Sequence, residues 1–424
     1  MKIVRGYKTE LDLNHAQVTA CTKHAGVARF AYNWGLRRRQ EIYRETGRST
    51  NAMALHKELV RLKQTEFPWM YEVSKWAPQA ALVDLDAAFA QFFQRVQLKK
   101  AGIYKGKLGF PKYKSKKKGV GSFRLCGCIH IFLDAIQLPR LGRLRLKEQG
   151  YLPTEDVRIL SASVSERAGR WFVAVQVEEE VPEPSPATGD PIGVDLGVST
   201  LATCSDGRTL PNPKALQKNL TKLRRASRRL SRRKKGGKNR AKARTLLARQ
   251  HYRISNIRRD TLHKATSSLT YAHVSETERV RVRAQLAASL PLPKTKAERK
   301  QQQKQAKRLR RQATTENAAG RPRVIVLEDL NVAGMKRNHK LARAISDVGM
   351  GEFRRQVRYK TVWNGETLLL ADRWYPSTKR CSRCGHVKAE VSLSERVYVC
   401  EQADCGLVID RDLNAALNLV ALVL

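Results

Sequence analysis

Three acids in distant parts of the chain stand where carboxylates could share divalent cations: Asp195 in PIGVDLGVST, Glu328 in RVIVLEDLNVAGM and Asp412 in IDRDLNAALN. Two divalent ions about 4 Å apart need several carboxylates to hold them, and together they activate water and stabilise a leaving oxygen, the chemistry of phosphodiester hydrolysis. Each acid alone has an ordinary explanation. Asp195 and Asp412 could be turn or cap residues, and Glu328 could pair with a buried arginine. Two neighbours compete for the role. Strand alternation sends Asp329 to the face opposite Glu328, and Asp410 stands where it would cap the following helix.

A second constellation is made of thiols. Cys381-Ser-Arg-Cys384-Gly and Cys400-Glu-Gln-Ala-Asp-Cys405-Gly supply two pairs, each followed by a glycine that permits a tight knuckle turn. Structural zinc takes four such ligands in a tetrahedron. The other cysteines (Cys21, Cys126, Cys128, Cys204) are scattered, which favours a metal site in a reducing compartment over a disulfide framework. His386 lies close by and is superfluous beside four thiols.

These residues need elements to position them. Asp195 ends a predicted strand that turns at Gly197 into a second, with the next turn at Asp206-Gly207. The apolar run before Glu328 reads as a buried strand that delivers the acid to its carboxyl edge, where ligands sit in α/β sheets. Asp412 opens an apolar helix, whose N-terminal dipole favours an anion. The cysteines fall between a predicted strand, ETLLLAD, and this helix, so zinc-driven folding would help to fix the third acid.

Upstream, residues 2–13 alternate as a strand and Asn14 can cap a helix carrying Val18, Val27, Phe30, Ala31 and Trp34. Another helix starts near Pro78, with Leu82, Leu85, Phe89, Phe92 and Val96 on one apolar stripe. Residues 101–125 are rich in glycine, lysine and aromatics; Lys112 and Lys114 suit phosphate contacts, and Phe110, Tyr113 and Phe123 suit base stacking. Residues 129–180 read as β-rich, and VPEPSPATGDP at 181–191 is the expected domain boundary. A helical hairpin over 214–263, broken at Gly236-Gly237, carries Arg224, Arg225, Arg228, Arg229, Arg232 and Arg233. That density suits tracking of a phosphate backbone. Within 274–322 a polar helix former with few apolar residues reads as an appended helix.

The formal net charge is +44, from 82 Lys+Arg against 38 Asp+Glu, so the compact state repels itself unless a polyanion neutralises it. Nucleic acid is the expected partner. No run of about twenty apolar residues or signal-peptide core is visible, so a membrane partner is not expected and the protein is expected in the cytoplasm of a prokaryote, at the nucleoid when bound to DNA.

The order strand Asp, strand Glu, helical Asp resembles the RuvC-like version of the ribonuclease H fold, whose equivalent acids hold Mg²⁺. With RWYPSTKRCSRCG and DRDLNAALNL, and with GFPKYKSKKK and SFRL upstream, the chain resembles the TnpB family, transposon-encoded RNA-guided endonucleases related to compact type V CRISPR effectors. The resemblance implies a multi-domain α/β protein. Its wedge barrel would use residues 1–14 and 105–186, interrupted by a helical recognition domain at 15–104. A RuvC-like nuclease domain at 187–379, a zinc ribbon at 380–405 and a final RuvC-like helix at 406–424 would complete it. It implies catalysis by Asp195, Glu328 and Asp412 on Mg²⁺, two ions being expected, and cleavage of double-stranded DNA beside a short transposon-adjacent motif. A guide RNA from the transposon end would direct it, with one protein per RNA favoured. SKWAPQAAL resembles the segment that touches the adjacent motif, implicating Lys75 and Gln79. Two departures stand out: the insertion within 274–322 and the four-residue gap in the second cysteine pair. The alternatives left open are an RNA-guided DNA-binding regulator that does not cut and an RNA-independent DNA-joining transposase.

Overall fold

The computed structural model describes residues 2–154, 157–270, 320–392 and 394–424, which fall into two compact units with the boundary between Pro182 and Glu183. Of the polar helix expected within 274–322, all but the last three residues lie outside the described ones.

In the first unit, the alternating N-terminal residues form β1 (Lys2–Asp12). It lies between β7 (Arg170–Glu180) and β5 (Gly142–Leu146), antiparallel to both, in a seven-stranded sheet. The remaining strands are β2 (Ser122–Leu125), β3 (His130–Ile131), β4 (Ala135–Leu138) and β6 (Val157–Arg167). The first residues thus complete a sheet built mostly from residues 122–180, with the helices inserted between.

Asn14 starts α1 (His15–Thr46) with a reciprocal capping box: its side chain accepts the Gln17 N–H at 2.9 Å, and its own N–H donates to Gln17 Oε1 at 3.1 Å. After α2 (Ala52–Thr65), α3 (Trp76–Lys100) presents Leu82, Leu85 and Phe89 as buried residues, with Phe92 and Val96 half-buried. Each fully buried leucine contributes about 1.5–3 kcal/mol. α1 and α3 approach so closely at Gly35 that a Cβ there would lie 2.6 Å from Leu82 Cδ2.

The lysine-rich loop is held against α1. Asn33 exchanges two hydrogen bonds with the Lys114 backbone at 2.8 and 2.9 Å, Arg29 donates to the Val120 carbonyl at 2.9 Å, and Tyr113 donates to Gln40 at 3.2 Å. One expectation for this segment is corrected. Phe123 is no base-stacking residue: it sits in β2 opposite Val164, 3% exposed, with its ring 5.1 Å from that of His24. Pairing with β6 turns its side chain into the core. Phe110 and Tyr113 are exposed.

The second unit is built on a five-stranded sheet in the order β10-β9-β8-β11-β12. β8 (Ile192–Asp195), β9 (Thr200–Cys204) and β10 (Thr209–Pro211) are antiparallel neighbours, whereas β11 (Val324–Glu328) runs parallel to both β8 and β12 (Thr367–Ala371). The basic hairpin consists of α4 (Ala215–Ser231) and α5 (Lys238–Thr270), with Gly236 at φ +87° in the turn. α5 runs seven residues beyond the expected end, because Ala265, Thr266, Leu269 and Thr270 are buried. Three helices, α6 (Val332–Met335), α7 (Ala342–Val348) and α8 (Met350–Asn364), lead from β11 to β12. The two-stranded ribbon of β13 (Val397–Val399) and β14 (Val408–Asp410) precedes the final helix α9 (Arg411–Val420).

α4 begins at Lys214 in the left-handed region without a cap of its own. Buried Asp347 on α7 substitutes: it accepts the N–H groups of Leu216 at 2.9 Å and Gln217 at 3.3 Å and pairs with Arg258 Nη2 of α5 at 2.8 Å. One carboxylate therefore ties the base of the basic hairpin to the sheet unit.

Candidate active site and cysteine centre

β8 and β11 end side by side. Their parallel register aligns Leu327 with Val194, so the next step sets Glu328 level with Asp195 on adjacent strands, which in a sheet lie roughly 4.8 Å apart. α9 crosses the same strand at Gly193, where a Cβ would lie 2.0 Å from the Ala416 carbonyl oxygen. Only glycine permits that approach, which carries Asp412, in the first turn of α9, to the strand end bearing Asp195.

The electrostatics reflect this convergence. Burial, followed by the charges of Glu328 and Asp412, pushes the Asp195 carboxyl up to about 8. Two like charges nearby oppose the ionisation of Asp195, and a cation would relieve them. Arg411 opposes that rise, with its Nη2 3.2 Å from Asp412 Oδ1. Glu328 accepts the Ser377 hydroxyl at 2.6 Å.

The competing acids have other occupations. Asp329 is gripped by Arg354 and Arg373, each at 2.5 Å, and the Arg373 hydrogen bond holds its carboxyl below the ordinary range. Asp410 is the N-cap of α9 and accepts the Leu413 N–H at 2.9 Å.

The four thiols of Cys381, Cys384, Cys400 and Cys405 lie within 4.8 Å of one another, with Cys381–Cys405 and Cys384–Cys400 each at 3.6 Å. A zinc–sulfur length near 2.3 Å in a tetrahedron sets sulfurs about 3.8 Å apart, so the donor set fits zinc. Gly385 and Gly406, at φ +78° and +54°, make the two knuckles. His386 is occupied elsewhere, its ring nitrogens 3.0 Å from Gln402 Nε2 and 3.4 Å from Glu401 Oε2.

Two asparagines join this centre to the acids. Asn414 accepts the Ser382 N–H at 3.0 Å and donates to the Arg380 carbonyl at 2.7 Å; Asn418 donates to the carbonyls of Ser377 and Arg380 at 2.8 and 2.6 Å. Both are buried. Sequence reasoning passed over them, although polar residues spaced i, i+4 on the apolar face of NAALN are a legible signal. Ser377 carries no comparable signal.

The six arginines from Arg224 to Arg233 are all exposed, and none is paired with a carboxylate among the described residues. Arg229 and Arg233 line a basic groove of the hairpin with Lys242, Arg244 and Arg249. In the first unit Lys112 is exposed, whereas Lys114 Nζ lies 3.9 Å from the centroid of the Tyr32 ring. Lys75 is exposed and Gln79 half-buried, one turn apart at the start of α3.

Comparison with known proteins agrees with this architecture. Residues 174–284 match a family described as "Probable transposase", and residues 351–419 match the "Cas12f1-like, TNB domain". Residues 1–48 match a "Helix-turn-helix domain", although here they form one strand and one continuous helix. A Streptomyces pristinaespiralis protein named "Putative RNA-guided DNA endonuclease" is 32% identical, over 99% of this chain and 89% of its own length. InsQ of Escherichia coli K12, with the same description, is 28% identical over 99% of this chain and 92% of its own length. A Cas12f1 chain, solved as a complex with sgRNA and target DNA, shares the fold at a TM-score of 0.51 with 14% identity, covering 95% of this chain and 82% of that one. The fold is that of a compact type V effector. The chain belongs to the TnpB family of RNA-guided DNA endonucleases.

Proposed function

We propose that the protein is an RNA-guided endonuclease that cuts double-stranded DNA beside a short adjacent motif, at a single RuvC-like centre of Asp195, Glu328 and Asp412. The observation that carries this reading is their convergence, from two strand ends and a helix start, where burial and the charges of the other two acids raise the Asp195 carboxyl. The 3-2-1-4-5 strand order of the second sheet is compatible with a ribonuclease H fold.

Carboxylate oxygens are the hard ligands Mg²⁺ prefers, so these three side chains would hold it. When bound, two such ions activate water and stabilise the leaving oxygen. The chain supplies orientation. Ser377 occupies one oxygen of Glu328 and thereby fixes its rotamer. Gly193 lets α9 bring Asp412 alongside. Zinc at the four cysteines would set the loop that Asn414 and Asn418 hold against the same helix.

The backbone contacts follow charge, and the remaining assignments follow the family resemblance. The six hairpin arginines, with Lys112 and Lys114, would contact the RNA or DNA backbone, and Lys75 with Gln79 the adjacent motif. Residues 1–14 and 105–186 would form the wedge barrel, 15–104 the recognition domain, 187–379 with 406–424 the nuclease domain, and 380–405 the ribbon. One protein would act per guide RNA, in the cytoplasm.

The test is Asp195→Ala in the complex with its co-purifying RNA. Cleavage of a target plasmid should be abolished while RNA-dependent DNA binding persists. Loss of binding together with cleavage would make Asp195 a structural residue, and RNA-independent strand joining by the wild-type protein would replace this reading with a transposase.

A further inference from the structure

Trp374 is the most exposed large apolar side chain among the described residues, at 86%. Single exposed apolar residues are common on surfaces; here the backbone beneath the ring is pinned on both sides. Arg373 donates to the Asp329 carbonyl at 3.2 Å and pairs with its carboxylate. The Trp374 N–H donates to Asp372 Oδ1 at 2.8 Å. Tyr375 donates its hydroxyl to the Asn418 carbonyl at 3.0 Å, and Ser377 reaches Glu328. A rigid loop therefore presents a large aromatic face to solvent only three residues from the serine that orients a catalytic acid.

The ring borders a cavity of about 330 Å³ lined by Glu328, Asn331, Met335, Arg373 and Tyr375 among others. Its wall also carries Asp329 and Asp372, and Asp329 is neutralised by Arg373 of the wall and by Arg354. Exposed Lys336, Arg337 and Lys340 follow Met335 directly. An exposed aromatic face on the cavity that holds Glu328, with these three basic residues next to Met335 of its wall, suits a nucleotide whose base stacks on the ring. Every base has a π-face, so such a contact tolerates any target sequence. Bases in a duplex stack on one another, so the occupant is unpaired.

We propose that Trp374 is a stacking platform for an unpaired base of the DNA strand being cut, next to the phosphate at the three acids. This rests on the nuclease reading above. Such stacking is worth roughly a 5- to 100-fold change for one base.

The test uses the protein–RNA complex with Trp374→Ala and Trp374→Phe, on short DNA targets that are intact or carry an abasic nucleotide at each position flanking the cut. Trp374→Ala should cut intact DNA roughly 5- to 100-fold more slowly at subsaturating substrate. Trp374→Phe should recover most of that loss, with RNA-dependent target binding and melting temperature unchanged for both. At one flanking position an abasic nucleotide should slow the wild type to the rate of Trp374→Ala and leave that variant unaffected. Equal rates for wild type and Trp374→Ala on intact DNA, or equal abasic penalties in both at every position, would overturn the proposal. A wild-type complex that does not cut would overturn the nuclease reading and this inference with it, an outcome distinct from equal cutting by both proteins.

Discussion

Ser377 donates its hydroxyl to Glu328 at 2.6 Å while its own carbonyl accepts the Asn418 amide at 2.8 Å. One buried serine thus joins the second acid to the helix that carries the third. Hydrogen bonds to charged groups contribute about 1.5–3 kcal/mol, so Ser377→Ala should slow cleavage at saturating substrate by at least about tenfold. RNA-dependent DNA binding should not change. Single-turnover rates across a Mg²⁺ titration provide the check; wild-type rates throughout would reduce the bond to packing.

The two aspartates at the start of α9 should separate cleanly. Asp410→Asn retains an acceptor for the Leu413 N–H and should cut at close to the wild-type rate, while Asp410→Ala should lose about 1 kcal/mol of stability as a missing cap. Asp412→Asn should remove cleavage and change stability by no more than about 1 kcal/mol, because it keeps the side chain's volume and leaves the Asp410 cap in place. Melting temperatures and cleavage rates measured together decide it; an inactive Asp410→Asn with an active Asp412→Asn would exchange the two roles.

These contrasts mark what the sequence discloses. The positions of the three acids are legible because each ends or begins an element whose pattern is plain: the run into Glu328, the turn after Asp195, the apolar helix behind Asp412. The cluster of four thiols is legible because each pair has the spacing of a metal knuckle. Contacts made across the fold are not. Asp347 caps α4 from a separate helix, Ser377 reaches back to β11, and Phe123 sits in a lysine-rich stretch whose composition masks a core strand. The last turns of α5 escape notice because threonines line them: Thr266 is buried against Gln356 and Lys360, and hydroxyls there replace the apolar periodicity that normally marks a packed face.

Zinc should support both folding and cutting. Cys381→Ser with Cys384→Ser removes half of the thiolates, and mass spectrometry should find the bound zinc lost. Because Asn414 and Asn418 hold the loop running into Cys381, cleavage should fall at least about tenfold even with Mg²⁺ in excess, an outer-shell effect of the size seen at other metal sites. Unchanged zinc content would remove the site; unchanged cleavage after verified zinc loss would show that α9 stands without it.

Away from the acids, Glu366 gives the second unit a built-in pH dependence. Its side chain is 7% exposed, and both carboxylate oxygens lack hydrogen-bond partners among the described residues. Burial pushes its carboxyl up to about 9, with Arg321 opposing the shift. A folded value above the unfolded one, near 4.5, means the folded protein holds the proton longer. Stability should therefore be full below about pH 4.5 and decline as pH rises through about 9, by at most about 1.4 kcal/mol per pH unit from this group. Glu366→Gln mimics the neutral form and removes that loss. Calorimetric melting at pH 5 and pH 8.5 should show the variant's advantage growing with pH, and an equal difference at both would mean that Glu366 is already ionised in the folded protein.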